Sequence, residues 1–124
     1  GHKLHKPGYV QHTVGWPLDP KTYAGSFMYH MAPNYIHIGL VVGLIMPILT
    51  SVLMNNSEIQ NHPQIRKFLE GGQCISYGAR ALNSGGYFSI PKLTFPGGVL
   101  AGCSAGFMNV LKIKGSHTAI KSGI

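Results

Sequence analysis

Polar and apolar residues alternate weakly across Tyr9-Val10-Gln11-His12-Thr13, and a period of two predicts a strand over Gly8 to Thr13. A turn follows at Gly15-Trp16-Pro17-Leu18-Asp19-Pro20, because two prolines cannot sit in a central strand. Thr22 to Tyr29, TYAGSFMY, is aromatic and small by turns and predicts a second strand, interrupted at Ala24-Gly25. A glycine inside a strand marks a close approach of another backbone or a ligand. Ile36 to Leu44 predicts a buried third strand carrying Gly39 and Gly43. The period then changes. From His62 to Glu70 (HPQIRKFLE), Ile65, Phe68 and Leu69 share one helical face, Pro63 suits the first turn, and Gly71-Gly72 ends the helix. Cys74 to Leu82 predicts another strand, Asn83-Ser84-Gly85-Gly86 a turn, and Tyr87 to Ile90 a strand after it. A short apolar run, Val99 to Ala101, lands on the small-residue turn Gly102-Cys103-Ser104-Ala105-Gly106. A second turn, Lys114-Gly115-Ser116, opens a helix that runs to the chain end. The fold class expected is α/β (α+β): a mixed sheet with few helices, not a helical bundle.

One stretch disturbs this picture. Ile36 to Met54 is apolar over nineteen residues, long enough to cross a bilayer's hydrocarbon core. His37, two glycines and Pro47 oppose that reading. The formal charge is +7, with only Asp19, Glu58 and Glu70 as acids. An apolar run in a chain of this positive charge supports an alternative, a small basic membrane-inserted protein without catalytic activity. Nucleic acid is not expected as a partner, because the basic residues are scattered and form no stripe. Charged residues make up 10% of the chain, well under the usual quarter, which suits a chain buried in a larger protein or against a membrane. Cys74 and Cys103 belong to no CxxC pair, so no metal site is expected within this chain. No nucleophile–base pair or paired carboxylates are found, and no catalytic side chain is assigned.

Strand, glycine turn and helix start together bring backbone N–H groups to an anion. Taken alone, such a turn reads as a structural helix cap. The stretches HTVGWPLD, TYAGSFMYH, GLVVGL, HPQIRKFLEGG, YGARALNSGGYFSIPKLTFPGG and GCSAGFMNVLKIKGSHTAIKSG, in this order, change that reading. Through them the chain resembles the electron transfer flavoprotein–ubiquinone oxidoreductase family, and it reads as an internal fragment of that longer enzyme.

The resemblance implies an oxidoreductase of the mitochondrial inner membrane, on the matrix side, that is monotopic. Electrons pass from reduced electron transfer flavoprotein through FAD and a 4Fe-4S cluster to ubiquinone. The fragment is expected to hold a ubiquinone-binding region over residues 1–91 and the return into the FAD-binding domain over 92–124. The cluster ligands lie outside it, and alone it is expected to be inactive. FAD contact is implied for Gly102, Cys103, Ser104 and Gly106, and for Gly115, Ser116, His117 and Thr118 at the helix start. The quinone carbonyl is implied at Ala24 and Gly25, which match a pair of adjacent glycines, with Tyr23, Phe27 and Met28 along the isoprenoid tail. Ala24 departs from the pair, and its methyl raises the question of a positive φ. Leu111 and Ala105 stand where the family has prolines.

After GLVVGL the family continues Asp-Tyr-x-Asn-Pro-Tyr, whereas this chain reads IMPILT from Ile45. Codons for Ile-Met-Pro-Ile-Leu-Thr, shifted by one preceding base, spell Asp-Tyr-Ala-Asn-Pro-Tyr. Residues 45–61 are therefore expected to be an out-of-frame translation, which makes the apparent membrane span partly fictitious.

Overall fold

A computed structural model of the chain describes residues 3–18, 20–44, 58–110 and 114–124. It divides into two compact units, Gly1–Cys74 and Ile75–Ile124.

The first unit is an antiparallel sheet with a helix. Strands β1 (Val10–Val14), β2 (Ala24–Met31) and β3 (Tyr35–Val42) lie in that order, with β2 central. The register sets Gly25 opposite Val14 on one side and Val41 on the other. Alternation along β2 sends Ser26, Met28 and His30 to one face, where all three are buried. Helix α1 (Pro63–Leu69) begins after His62, whose ring nitrogen accepts the Gln64 N–H at 3.2 Å. The core joins the two: Met28, Ile59 and Ile65 are buried, with Ile36, Ile38, Leu40, Phe68 and Leu69 packed against them.

The second unit carries less regular structure. A short hairpin pairs β4 (Thr94–Phe95) with β5 (Gly98–Val99), and α2 spans Ser116–Ser122. The turn at 102–105 is a single 3-10 turn closed by Gly106 in the left-handed region (φ 80°).

The class is α+β, but both sheets are antiparallel among the described residues, so the expected mixed sheet is corrected. The three long strands and both helices fall within two residues of expectation. The strand expected over Cys74 to Leu82 does not form: the residues are exposed and belong to neither sheet among the described residues. Tyr87–Ser89 is a 3-10 turn and not a strand, because Ser89 Oγ and N–H fold back onto the Gly85 and Gly86 carbonyls. Ile36 to Val42 lies in β3, so the front of the apolar run is sheet. No helix among the described residues is long and apolar enough to cross a membrane. The suspected out-of-frame stretch falls mostly on 45–57, outside the described residues. Its tail, 58–61, forms a helical turn that places Ile59 in the core.

Candidate functional site

The sheet dictates what the backbone offers at Ala24 and Gly25. In an antiparallel ladder, successive residues turn their polar groups to opposite neighbours. Gly43 donates to the Tyr23 carbonyl at 2.8 Å, so Tyr23 and Gly25 face β3, where Gly25 meets Val41. Ala24 faces the β1 side, and its carbonyl accepts the Gly15 N–H at 3.3 Å. The Ala24 N–H has no acceptor among the described residues. Ala24 lines an open cleft of about 470 Å³ together with Val14, Gly15, Pro20, Tyr23 and their neighbours. The cleft is large enough for a one-ring ligand.

The two positions therefore differ. Ala24 carries the free donor, and its φ is not positive, so its methyl sits on an ordinary strand backbone. Gly25 is required by space: a Cβ there would drive into the Thr13 carbonyl oxygen of β1. Gly39 answers a similar demand on β3, where the Phe27 ring occupies the space of a side chain, 2.5 Å from an ideal Cβ. Tyr23 and Phe27 lie on the face opposite the core. Met28 does not join them; alternation buries it among Ile59 and Ile65, so its expected place beside the isoprenoid tail is corrected.

In the second unit the two glycine turns come together. Gly102 N–H donates to Ser122 Oγ at 2.8 Å, and Gly102 backs onto Ala119. Thr118 Oγ1 donates to the carbonyls of Phe107 (2.6 Å) and Gly115 (3.0 Å). Gly115 faces the Phe107 carbonyl and the Cys103 sulfur, at 3.3 and 3.7 Å from an ideal Cβ. The hydroxyl of Thr118 is thus committed to holding the turn. What remains for a ligand is backbone. Helix geometry leaves the first N–H groups of α2, on Ser116, His117 and Thr118, without intrahelical acceptors, and no side chain caps them. Ser116, His117, Cys103 and Ser104 are exposed.

A second cleft of about 220 Å³ lies beside this turn, where Asn83, Ser84, Gly85 and Ser89 face Ser104, Ala105 and Gly106. Sequence does not single out Asn83 or Ser89: the first falls in the NSGG turn and the second in the strand expected over Tyr87 to Ile90. The cleft suits a phosphate or a short polyol, not a whole dinucleotide. The donor set, backbone N–H groups and small hydroxyls beside a glycine turn, fits the pyrophosphate and polyhydroxy linker of FAD.

The family described as ETF-QO, ubiquinone-binding, matches residues 1–82. The chain belongs to this family. The match contains the Ala24 cleft. The chain is 62% identical over 126 aligned residues to the human electron transfer flavoprotein-ubiquinone oxidoreductase, mitochondrial, covering 98% of this chain and 20% of that protein. It is 56% identical over 121 residues to the protein of the same name from Oryza sativa subsp. japonica, covering 97% and 21%. It is 55% identical over 120 residues to the probable enzyme of that name from Schizosaccharomyces pombe, covering 96% and 19%. The chain thus spans about a fifth of the length of these relatives. No solved structure matches it.

Membership in an ETF-QO family does not favour the membrane-inserted alternative, whose apolar run begins as β3. Among the described residues no group of three or more His, Cys, Asp or Glu stands where it could hold a metal ion. Cys74 and Cys103 are both exposed, and among the described residues neither forms a disulfide.

Proposed function

We propose that this chain is the quinone-binding part of an electron transfer flavoprotein–ubiquinone oxidoreductase, and that the Ala24 N–H is the donor to a ubiquinone carbonyl. The carrying observation is that free donor at the head of a central strand, inside the region matched by the ubiquinone-binding family. A backbone N–H suits this task. It polarises the carbonyl toward reduction and brings no titrating side chain into an apolar cleft. Val14, Pro20 and Tyr23 supply apolar walls, and Tyr23 and Phe27 continue along the outer face of the sheet.

On this reading residues 1–91 form the quinone-binding region and 92–124 belong to the FAD-binding domain. FAD, when bound, supplies the electron transfer chemistry between the flavoprotein donor and the quinone. Cys103 and Ser104 present backbone N–H groups to its linker or pyrophosphate, and Gly102 and Gly106, whose own N–H groups go to Ser122 Oγ and the Cys103 carbonyl, shape the turn that lets it approach. Gly115, Ser116, His117 and Thr118 present N–H groups where negative charge gathers on reduction. Asn83 and Ser89 add side-chain polarity to the same cleft. The 4Fe-4S cluster belongs to sequence outside this chain, as does docking of electron transfer flavoprotein. The setting is the matrix face of the mitochondrial inner membrane, with monotopic attachment, and the fragment alone does not turn over. Residues 45–61 are proposed as an out-of-frame translation, and the encoding nucleotide sequence tests this: a neighbouring frame reading Asp-Tyr-x-Asn-Pro-Tyr supports it.

Titration of the isotope-labelled chain with a short-tailed ubiquinone homologue tests the central claim. The Ala24 amide resonance is expected to shift, with smaller shifts at Gly15 and Tyr23. Unmoved amides from Thr22 to Gly25 at saturating quinone would overturn it.

A further inference from the structure

Ser26 and His30 are the buried polar residues among those described, at 6% and 2% exposure. The Ser26 hydroxyl meets Thr13 Oγ1 across the β1–β2 pair at 2.5 Å. The same Thr13 Oγ1 accepts the Ser26 N–H at 3.3 Å. One hydroxyl therefore binds both the side chain and the backbone of the neighbouring strand. The place of this contact gives it meaning. Thr13 immediately precedes Val14 and Gly15, one wall of the cleft, and Ser26 stands two residues after Ala24, on the other. Between them, the Thr13 carbonyl takes the space of a Gly25 side chain. No side chain of Gly25 spaces the two strands there, so their separation is set by the backbone ladder and this hydroxyl pair.

An apolar pair such as Val–Val holds two strands together without directional preference, so several arrangements of the strands satisfy it about equally. A hydrogen bond is directional and short-ranged, so it fixes a distance. A buried serine gains little net stability over an apolar residue of similar size, because its desolvation offsets most of the bond. Its use here is geometric.

We propose that Thr13 and Ser26 form a hydroxyl clamp that holds the Val14–Gly15 wall at a set distance from the Ala24 N–H, and that quinone affinity depends on it. This rests on the assignment of the cleft to a quinone. Both are positioning residues: neither lines the cleft. A ligand carbonyl must reach the Ala24 N–H within hydrogen-bond distance while its ring lies against Val14 and Tyr23. A wall free to drift satisfies one requirement or the other, and binding weakens without any loss of a ligand contact.

The test uses the full chain and a short-tailed ubiquinone homologue, with the dissociation constant and the Ala24 amide shift read together. Thr13→Val keeps shape and removes the hydroxyl; Thr13→Ser keeps the hydroxyl and removes the methyl; Ser26→Ala removes the other partner. Thr13→Val and Ser26→Ala are expected to weaken quinone binding by about three- to tenfold, with Thr13→Ser close to the parent. A role confined to stability lowers the melting temperature of Thr13→Val and leaves its dissociation constant at the parent value in samples that are fully folded. That result overturns the clamp while the Ala24 shift keeps the quinone assignment standing. Absence of the Ala24 shift in the parent chain overturns both. Should Thr13→Val not fold, Ser26→Ala against Thr13→Ser carries the same comparison.

Discussion

At the scale of single residues, Ala24 and Gly25 look interchangeable in sequence and are opposites in the structure. Gly25 has no room for a side chain, because β1 passes with the Thr13 carbonyl in its Cβ position. Gly25→Ala is expected to push β1 away from β2 and to lower stability by about 1–3 kcal/mol, read as a lower denaturant midpoint. Ala24→Gly changes nothing in space and adds flexibility, so its cost is expected to stay at or under about 1 kcal/mol. Should both substitutions cost the same, the close approach at Gly25 is wrong. The glycine in a strand pattern was legible as a point of close approach, and that is what the structure holds there. The parity of each residue was less legible. The resemblance groups Met28 with Tyr23 and Phe27, whereas the two-residue period alone sends it to the opposite face, into contact with Ile59 and Ile65.

At the scale of elements, regular patterns carried the reading. The alternation of β2 and the 3.6 period of α1 announce elements that bury Met28 and Ile65, whereas β3, expected to be buried, is half-buried on one face through Ile36, Ile38 and Leu40, and β1 adds no residue to the core. Cys74 to Leu82 shows the limit of that logic. A strand is a shared structure: its N–H and C=O groups need a neighbour, and a sequence window does not say whether an edge is available. Ile75 and Tyr77 stand at 74% and 97% exposure, with no strand beside them. The glycine turns were legible as turns, but what locks them was not. Ser122, at the far end of α2, accepts the Gly102 N–H and donates to the Ala119 carbonyl at 2.8 Å. It was never marked, because a serine in a last helical turn carries no pattern. Ser122→Ala is expected to lower stability by about 0.5–1.5 kcal/mol and to speed hydrogen exchange at the Gly102 amide, while Ser122→Thr retains protection. An unchanged Gly102 exchange rate in the alanine variant would count against the turn-to-helix lock.

At the scale of the molecule, one residue ties three parts of the first unit together. His30 is 2% exposed on β2. Its Nδ1 accepts the Lys6 N–H at 3.1 Å, its carbonyl accepts the Gly8 N–H at 2.8 Å, and its N–H donates to the Tyr9 carbonyl at 2.9 Å. The chain before β1 is thereby fastened to the sheet. From α1, Phe68 meets the His30 ring edge-on at 5.2 Å, with Lys67 Nζ 5.2 Å above that same phenyl ring. His5 stacks on His30 at 5.3 Å, and Tyr9 stands edge-on at 5.1 Å. Since Nδ1 is an acceptor, the neutral ring carries its proton on Nε2, a buried atom with no hydrogen-bond partner. A second proton must go to Nδ1, where it turns an acceptor into a donor facing the Lys6 N–H. Burial, and then the nearby His5, push the His30 pKa below its ordinary value of 6.5. A lowered folded value means that the unfolded chain binds more protons in the window between the two. The stability linked to His30 is therefore fully present above the unfolded value near 6.5 and is lost as pH falls from there through the lowered folded value. Denaturant unfolding followed downward from about a unit above 6.5 is expected to show stability falling with acid. Hydrogen exchange at the Lys6 amide should quicken over the same window. His30→Gln, whose amide oxygen can still accept from Lys6, is expected to be less stable at neutral pH and to flatten the slope. A slope unchanged by that substitution would show that the acid sensitivity does not come from His30. The titration would then say nothing about the contact that joins the leading segment to the sheet.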